Sequence, residues 1–168
     1  MSHSGVIEGF FAGNFAVEIS TNLTNWIAVS NATVKMDDVE LSRPSGEAYV
    51  GGSSDYATVI IGKREPVEIT LTFLLNETTS NAATTVIDQF QSTSPRLGVR
   101  WCPRGLVSNA RAYATSNDGT SNGLGVITNV TLSALDPSKA DPYVVMCTVR
   151  TPTLRQYQLS TNPTNLNG

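Results

Sequence analysis

A mainly β fold, an antiparallel β-sandwich or partly open barrel with one short flanking α-helix, is what this sequence predicts. Three observations carry the prediction. Apolar and polar residues alternate with a period of two in several segments, clusters of Gly, Asn, Asp, Ser and Pro separate those segments, and one stretch alone switches to helical spacing. With 168 residues, 40% of them apolar and 15% charged, the chain is long enough to bury a core without disulfides or metals and is expected to form a single domain over 1–168. The formal charge of -3 and the lack of a dense basic run argue against a nucleic-acid-binding surface, which must neutralise several phosphates at once.

Residues 1–14 mix glycine with Phe10 and Phe11 and are expected to be an N-terminal arm packed on another surface, with ordinary core packing as the alternative. Phe15, Val17 and Ile19 alternate with Ala16 and Glu18, which reads as a half-buried strand. Trp26–Val34 is β-branched and aromatic and predicts a second strand, so the two form an opening hairpin. Residues 35–62 are irregular: Asp37, Asp38 and Glu40 precede Arg43-Pro44-Ser45-Gly46 and Gly51-Gly52-Ser53-Ser54, with a short apolar group at Tyr56–Ile61. Loops this long are uncommon in compact domains unless they are functional or disordered. An extended hairpin whose tip, with Tyr49 and Tyr56, touches a neighbour accounts for the segment; a mobile surface loop is the other reading.

Pro66 opens the clearest strand, in which Val67, Ile69, Leu71 and Phe73 point one way and Glu68, Thr70 and Thr72 the other. Thr79 and Ser80 are placed to cap a helix running to Phe90, with Ala82, Ala83, Val86, Ile87 and Phe90 at helical spacing. Leu97–Trp101 predicts a strand with Arg100 facing away from Leu97, Val99 and Trp101, and Leu106–Tyr113 is its expected partner. The stretch 115–125 is rich in turn chemistry. Val126, Val130 and Leu132 then share one face and Ile127, Asn129 and Thr131 the other, a pattern that Thr128 interrupts. Asp136–Pro142 turns the chain into Tyr143–Arg150, closing a long hairpin. Residues 151–168 become polar and read as a tail, a C-terminal arm. The expected total is seven or eight strands and one helix.

No catalytic, cofactor-binding or metal-binding residue is assigned. The single histidine, His3, lies in the terminal segment, which argues against a hydrolytic triad or a histidine metal site. Asp37, Asp38 and Glu40 supply carboxylates of the kind calcium takes, but match no complete calcium loop, and a solvated acidic loop is the simpler reading. Glu65 and Glu68 stand three apart on strand spacing, hence on opposite faces, and pair poorly for sugar hydrolysis. Cys102 and Cys147 are expected as buried free thiols, with a bridge open if two strands bring them together. Trp26 and Trp101 read as core or as a sugar-binding platform; Arg100, Arg104 and Arg111 read as a subunit contact, a lumen face or scattered solvated charges. Nothing in the sequence resembles a secretion signal or a membrane-spanning stretch, so no membrane partner is expected.

The order of elements resembles a family. Gly62-Lys63-Arg64-Glu65-Pro66-Val67-Glu68-Ile69-Thr70-Leu71-Thr72-Phe73 and the helix ending near Phe90 are similar to the central strand and helix of bacteriophage tail tube proteins. Gly125–Leu132, the Pro137-Ser138 turn and Tyr143–Arg150 resemble that family's closing hairpin. The resemblance, over residues 15 to 150, implies a non-enzymatic virion protein, assembled in the host cytoplasm. It implies self-association into stacked hexameric rings, contacts with tape measure, distal tail and terminator proteins, and a lumen through which DNA passes without specific binding. It makes 35–62 an inter-subunit loop, and 1–14 and 151–168 arms. The alternative is a carbohydrate- or receptor-binding β-sandwich module resting on Trp26, Trp101 and the loop tyrosines.

Overall fold

The computed structural model describes residues 14–48, 58–74, 82–138 and 143–168. The expectations for residues 1–13 including His3, for the loop tip with Tyr49 and Tyr56, and for Thr79 and Ser80 as caps lie outside the described residues. In chain order the elements are β1 (Ala16–Ser20), β2 (Ile27–Val29), β3 (Val34–Met36), β4 (Ser45–Ala48), β5 (Thr58–Ile61) and β6 (Val67–Leu74). A helix, α1 (Ala82–Gln91), is followed by β7 (Arg96–Cys102), β8 (Arg111–Ser116), β9 (Gly125–Leu132), β10 (Val144–Thr151) and β11 (Thr153–Gln158).

Two antiparallel layers result, one ordered β2-β1-β7-β8-β11 and the other β9-β10-β6-β3, with β7 shared between them. Arg96 and Leu97 of β7 pair with Val126 and Gly125 of β9, while Arg100 and Trp101 pair with Ala114 and Tyr113 of β8. Thr115 sits at this fork. Its hydroxyl accepts from the Val99 N–H at 3.0 Å and donates to the Gly123 carbonyl at 2.7 Å, supplying hydrogen bonds that the diverging strands no longer give each other. Between the layers, Ile69, Leu71 and Phe73 of β6 belong to one core with Val17, Ile19, Val99 and Trp101, and Val67 is buried on the same face, as their alternation requires. Ala82, Ala83 and Val86 of α1 bury in the same core, where two alanines let the helix approach closely.

The structure departs from the sequence expectations in its total, eleven strands among the described residues rather than seven or eight, and at four places along the chain. Trp26–Val34 is not one strand: a turn in which the Thr33 N–H donates to the Ser30 carbonyl at 2.9 Å separates β2 from β3, which crosses to the other layer. The partner of β7 starts at Arg111, because Gly105 and Asn109 take positive φ angles and hold the preceding stretch out of the sheet. In β9 the face assignment reverses: Ile127 is buried and Val126 exposed, because a bulge at Thr128 shifts the register between Thr148↔Asn129 and Val149↔Ile127. The inserted residue lets Ile127 and Val130, of opposite parity, both turn toward the core. Finally, residues 151–168 are not a loose tail: β11 pairs with β8 from Thr153↔Ser116 to Gln158↔Arg111, and Leu159 and Leu166 are buried.

Candidate assembly surfaces

The loop expected over 35–62 contains a two-stranded ribbon, β4 paired with β5 from Ser45↔Ile61 to Ala48↔Thr58, standing apart from the nine-stranded sheet. Its base is tied by the Gly62 N–H to the Pro44 carbonyl at 2.8 Å and the Glu65 N–H to the Ser42 carbonyl at 3.0 Å. Consecutive residues of a strand face opposite ways. Yet Val59, Ile60 and Ile61 are 64%, 55% and 63% exposed, and Leu41, which precedes the ribbon in the chain, 69%. Neither face of β5 is packed. An isolated two-stranded ribbon is marginal in water, and exposed aliphatic side chains on both faces mark a segment that gains from a partner surface.

The solvent face of the β9-β10-β6-β3 layer is a second candidate. The register sets Thr131, Met146, Thr72 and Lys35 in one row, Asn129, Thr148 and Thr70 in the next, and Val126, Arg150 and Glu68 in a third. The Thr70 and Thr148 hydroxyls meet at 3.5 Å. Hydroxyls and one amide make up half of these ten side chains, and no row holds more than one positive charge. Beside it an open cleft is lined by Asp38, Glu40, Glu65, Glu68 and Arg150. Glu65 and Glu68 thus share one cleft rather than opposite faces, because Glu65 precedes β6 and strand parity does not apply to it. Among the described residues no three His, Cys, Asp or Glu side chains are placed to hold a metal ion. Within the described sheet β2, β3 and β11 each pair along one edge, leaving backbone groups available to an added strand.

The outer face of the other layer is sealed. Arg100 and Glu18, cross-strand partners in β7 and β1, form a buried ion pair, with the Arg100 Nε donating to Glu18 Oε1 at 2.9 Å. The guanidinium lies 4.0 Å from the Trp26 ring centre, and Gly98 makes room for that ring, since a Cβ there would stand 3.3 Å from it. Arg100 is therefore neither a lumen residue nor a solvated charge, whereas Arg104 and Arg111 are exposed. Trp101 is buried, 5.7 Å between ring centres from Tyr113, so Trp26 and Trp101 do not form a shared exposed platform. Cys102 and Cys147 are free and buried in separate cores; burial pushes the Cys147 thiol up to about 12 and raises Cys102 as well. Sequence reasoning missed the ion pair. Its one local signal was a charged residue in the middle of each of two otherwise core-forming strands.

No protein-family model and no curated protein sequence matches the chain. Solved structures do. A chain in the cryo-EM structure of the anti-feeding prophage baseplate, 6-fold symmetrised, superposes with a TM-score of 0.65 at 11% identity, covering 86% of this chain and 92% of that one. A chain in the structure of the cap that terminates the anti-feeding prophage tube gives 0.62 at 14%, covering 87% and 89%. A chain in the sheath-tube complex of the extracellular contractile injection system PVC, in the extended state, gives 0.60 at 14%, covering 95% and 99%. The fold is therefore one that contractile injection systems use.

Proposed function

We propose that this chain is a non-enzymatic structural subunit that self-associates into stacked hexameric rings and so builds the tube of a phage tail or tail-like particle. The observation that carries this reading is the β4-β5 ribbon, with aliphatic side chains exposed on both faces of β5. The fold shared with chains of injection-system assemblies supports it. In a ring, free strand edges join neighbouring subunits and the ribbon, with residues 35–62, reaches the adjacent ring. Residues 1–14 act as an arm. Burying what remains exposed of Val59, Ile60 and Ile61 yields at most about 1.5–3 kcal/mol each, a gain that several contacts set against the cost of association.

The Thr- and Asn-rich face of β6, β9 and β10 suits a hydrated lumen wall, past which DNA moves without the multiple phosphate contacts that would hold it. The subunit acts in the virion tail after assembly in the host cytoplasm, with tape measure, distal tail and terminator proteins as its neighbours. Negative-stain electron microscopy over a concentration series tests the reading. Six-fold rings or tubes are the expected result, and uniform monomers at every concentration, with sedimentation in agreement, overturn it.

A further inference from the structure

We propose that the outer face of the β2-β1-β7-β8-β11 layer is a preformed socket for a short peptide segment bearing a leucine, and that residues 161–168 fill it in cis as a releasable strap. The Leu166 side chain is fully buried in a cluster with Cys102, Ala110, Ala112, Ala114, Tyr157 and Leu159. The alanines keep the sheet surface low enough to admit it. Both backbone polar groups of Leu166 are read by side chains: its N–H donates to Glu18 Oε2 at 2.8 Å, and its carbonyl accepts from the Tyr157 hydroxyl at 2.6 Å. Each of those side chains also has a holder outside the strap. Glu18 is fixed by Arg100 across the β1-β7 register, and Arg155 stacks 4.3 Å over the Tyr157 ring while bonding Asn122. Gly168 lies so near that ring that a Cβ would come within 2.6 Å of it. The socket thus specifies a main-chain N–H, a leucine side chain, a carbonyl and a small residue two positions on, in the manner of a peptide-binding site.

The strap is separable from the sheet behind it. Ladder-like bonds end where the Leu159 N–H donates to the Ala110 carbonyl at 2.8 Å and the Asn109 N–H to the Ser160 carbonyl at 3.1 Å. Thr161, Asn162, Thr164 and Asn165 are exposed and Pro163 half-buried, so the segment between the ladder and Leu166 adds no core of its own. Lifting it uncovers Cys102, whereas Cys147 stays within the other core. This inference does not depend on ring assembly.

Thiol labelling of the full-length chain with an aromatic disulfide reagent, each cysteine assigned by mass spectrometry, tests it. Leu166→Ala is expected to speed the reaction of Cys102 about 10- to 100-fold, the range that loss of one buried leucine allows, and to leave Cys147 unreactive. A synthetic peptide of residues 161–168, added to this variant because the wild-type strap competes at high effective concentration, is expected to slow Cys102 again; the same peptide with Leu166→Ala is not. Simultaneous reaction of both thiols overturns the proposal, since the strap is then an inseparable part of the fold. An unchanged Cys102 rate, or no protection by the peptide, overturns it equally.

Discussion

The sealed outer face of β1, β7 and β8 and the β4-β5 ribbon carry groups that a soluble surface ordinarily avoids, and the chain treats them in opposite ways. On the sealed face a charged pair is taken out of water, capped by Trp26 and closed over by the segment ending in Leu166. On the ribbon, Val59, Ile60 and Ile61 stay in water. A buried ion pair costs desolvation, which good geometry and further hydrogen bonds offset in part. Glu18 has both within the chain: Arg100 holds one oxygen, and the Leu166 N–H adds a bond to the other. The Val59, Ile60 and Ile61 side chains have no comparable cover among the described residues. The first surface is therefore completed within the chain, and the second is the one we propose for association.

The largest expected effect breaks the sealed face. Glu18→Ala leaves Arg100 buried without its carboxylate and should destabilise the chain by about 3–5 kcal/mol in urea denaturation. Replacing both Glu18 and Arg100 by apolar residues should recover part of that loss, and an additive double variant would show that the two do not act as a pair. Next, Val59→Ser with Ile61→Ser should leave the unfolding free energy within about 0.5 kcal/mol of wild type, as exposed substitutions do. The same variant should raise the concentration needed for assembly by about 10- to 100-fold in sedimentation. A large loss of stability here would place the ribbon with the folded core instead.

Smaller changes sharpen the contrast. Tyr157→Phe removes the hydroxyl that the Leu166 carbonyl accepts and should cost about 0.5–1.5 kcal/mol at neutral pH. Burial pushes the Tyr157 phenol up to about 12 from 10.0, so the neutral form is favoured in the folded state. Its stabilisation is complete below pH 10 and declines as the pH rises toward 12. Urea midpoints measured across that window should fall more steeply for wild type than for Tyr157→Phe. The smallest effect lies in the turn before β9. The Asp118 carboxylate accepts from the Ser121 and Thr120 N–H groups at 2.9 and 2.8 Å, which holds it well below its ordinary range. Its contribution is present above about pH 4, is lost as the pH falls through the lowered folded-state value, and should vanish in Asp118→Asn when acid unfolding is followed by circular dichroism.

Much of this molecule is written locally. The alternation of Val67, Ile69, Leu71 and Phe73 predicts β6 and its buried face, Ala82 to Phe90 predicts the helix, and Tyr143–Arg150 predicts β10 with Val145, Cys147 and Val149 inward, although Tyr143, expected on that face, precedes the strand and is exposed. Other features escape a local reading. Arg100 looks like a solvated charge because its partner Glu18 lies far away in the chain and only the β1-β7 register joins them. β11 looks like a tail because Thr153–Gln158 is mostly polar, and its strand state depends on the edge that β8 offers. The short apolar group at Tyr56–Ile61 is visible in sequence, but only the pairing of β4 with β5 shows that Val59, Ile60 and Ile61 stay uncovered.

By itself the sequence determined the fold class, the strand spacing and the inward face of the central strands, because a side-chain period of two, set by covalent geometry, needs no partner to be read. The tertiary structure decided which charges are buried, where the bulge at Thr128 reverses a face and which apolar residues remain in water. Those outcomes depend on pairing energies between distant segments, where desolvation and register act together and no local pattern records the result.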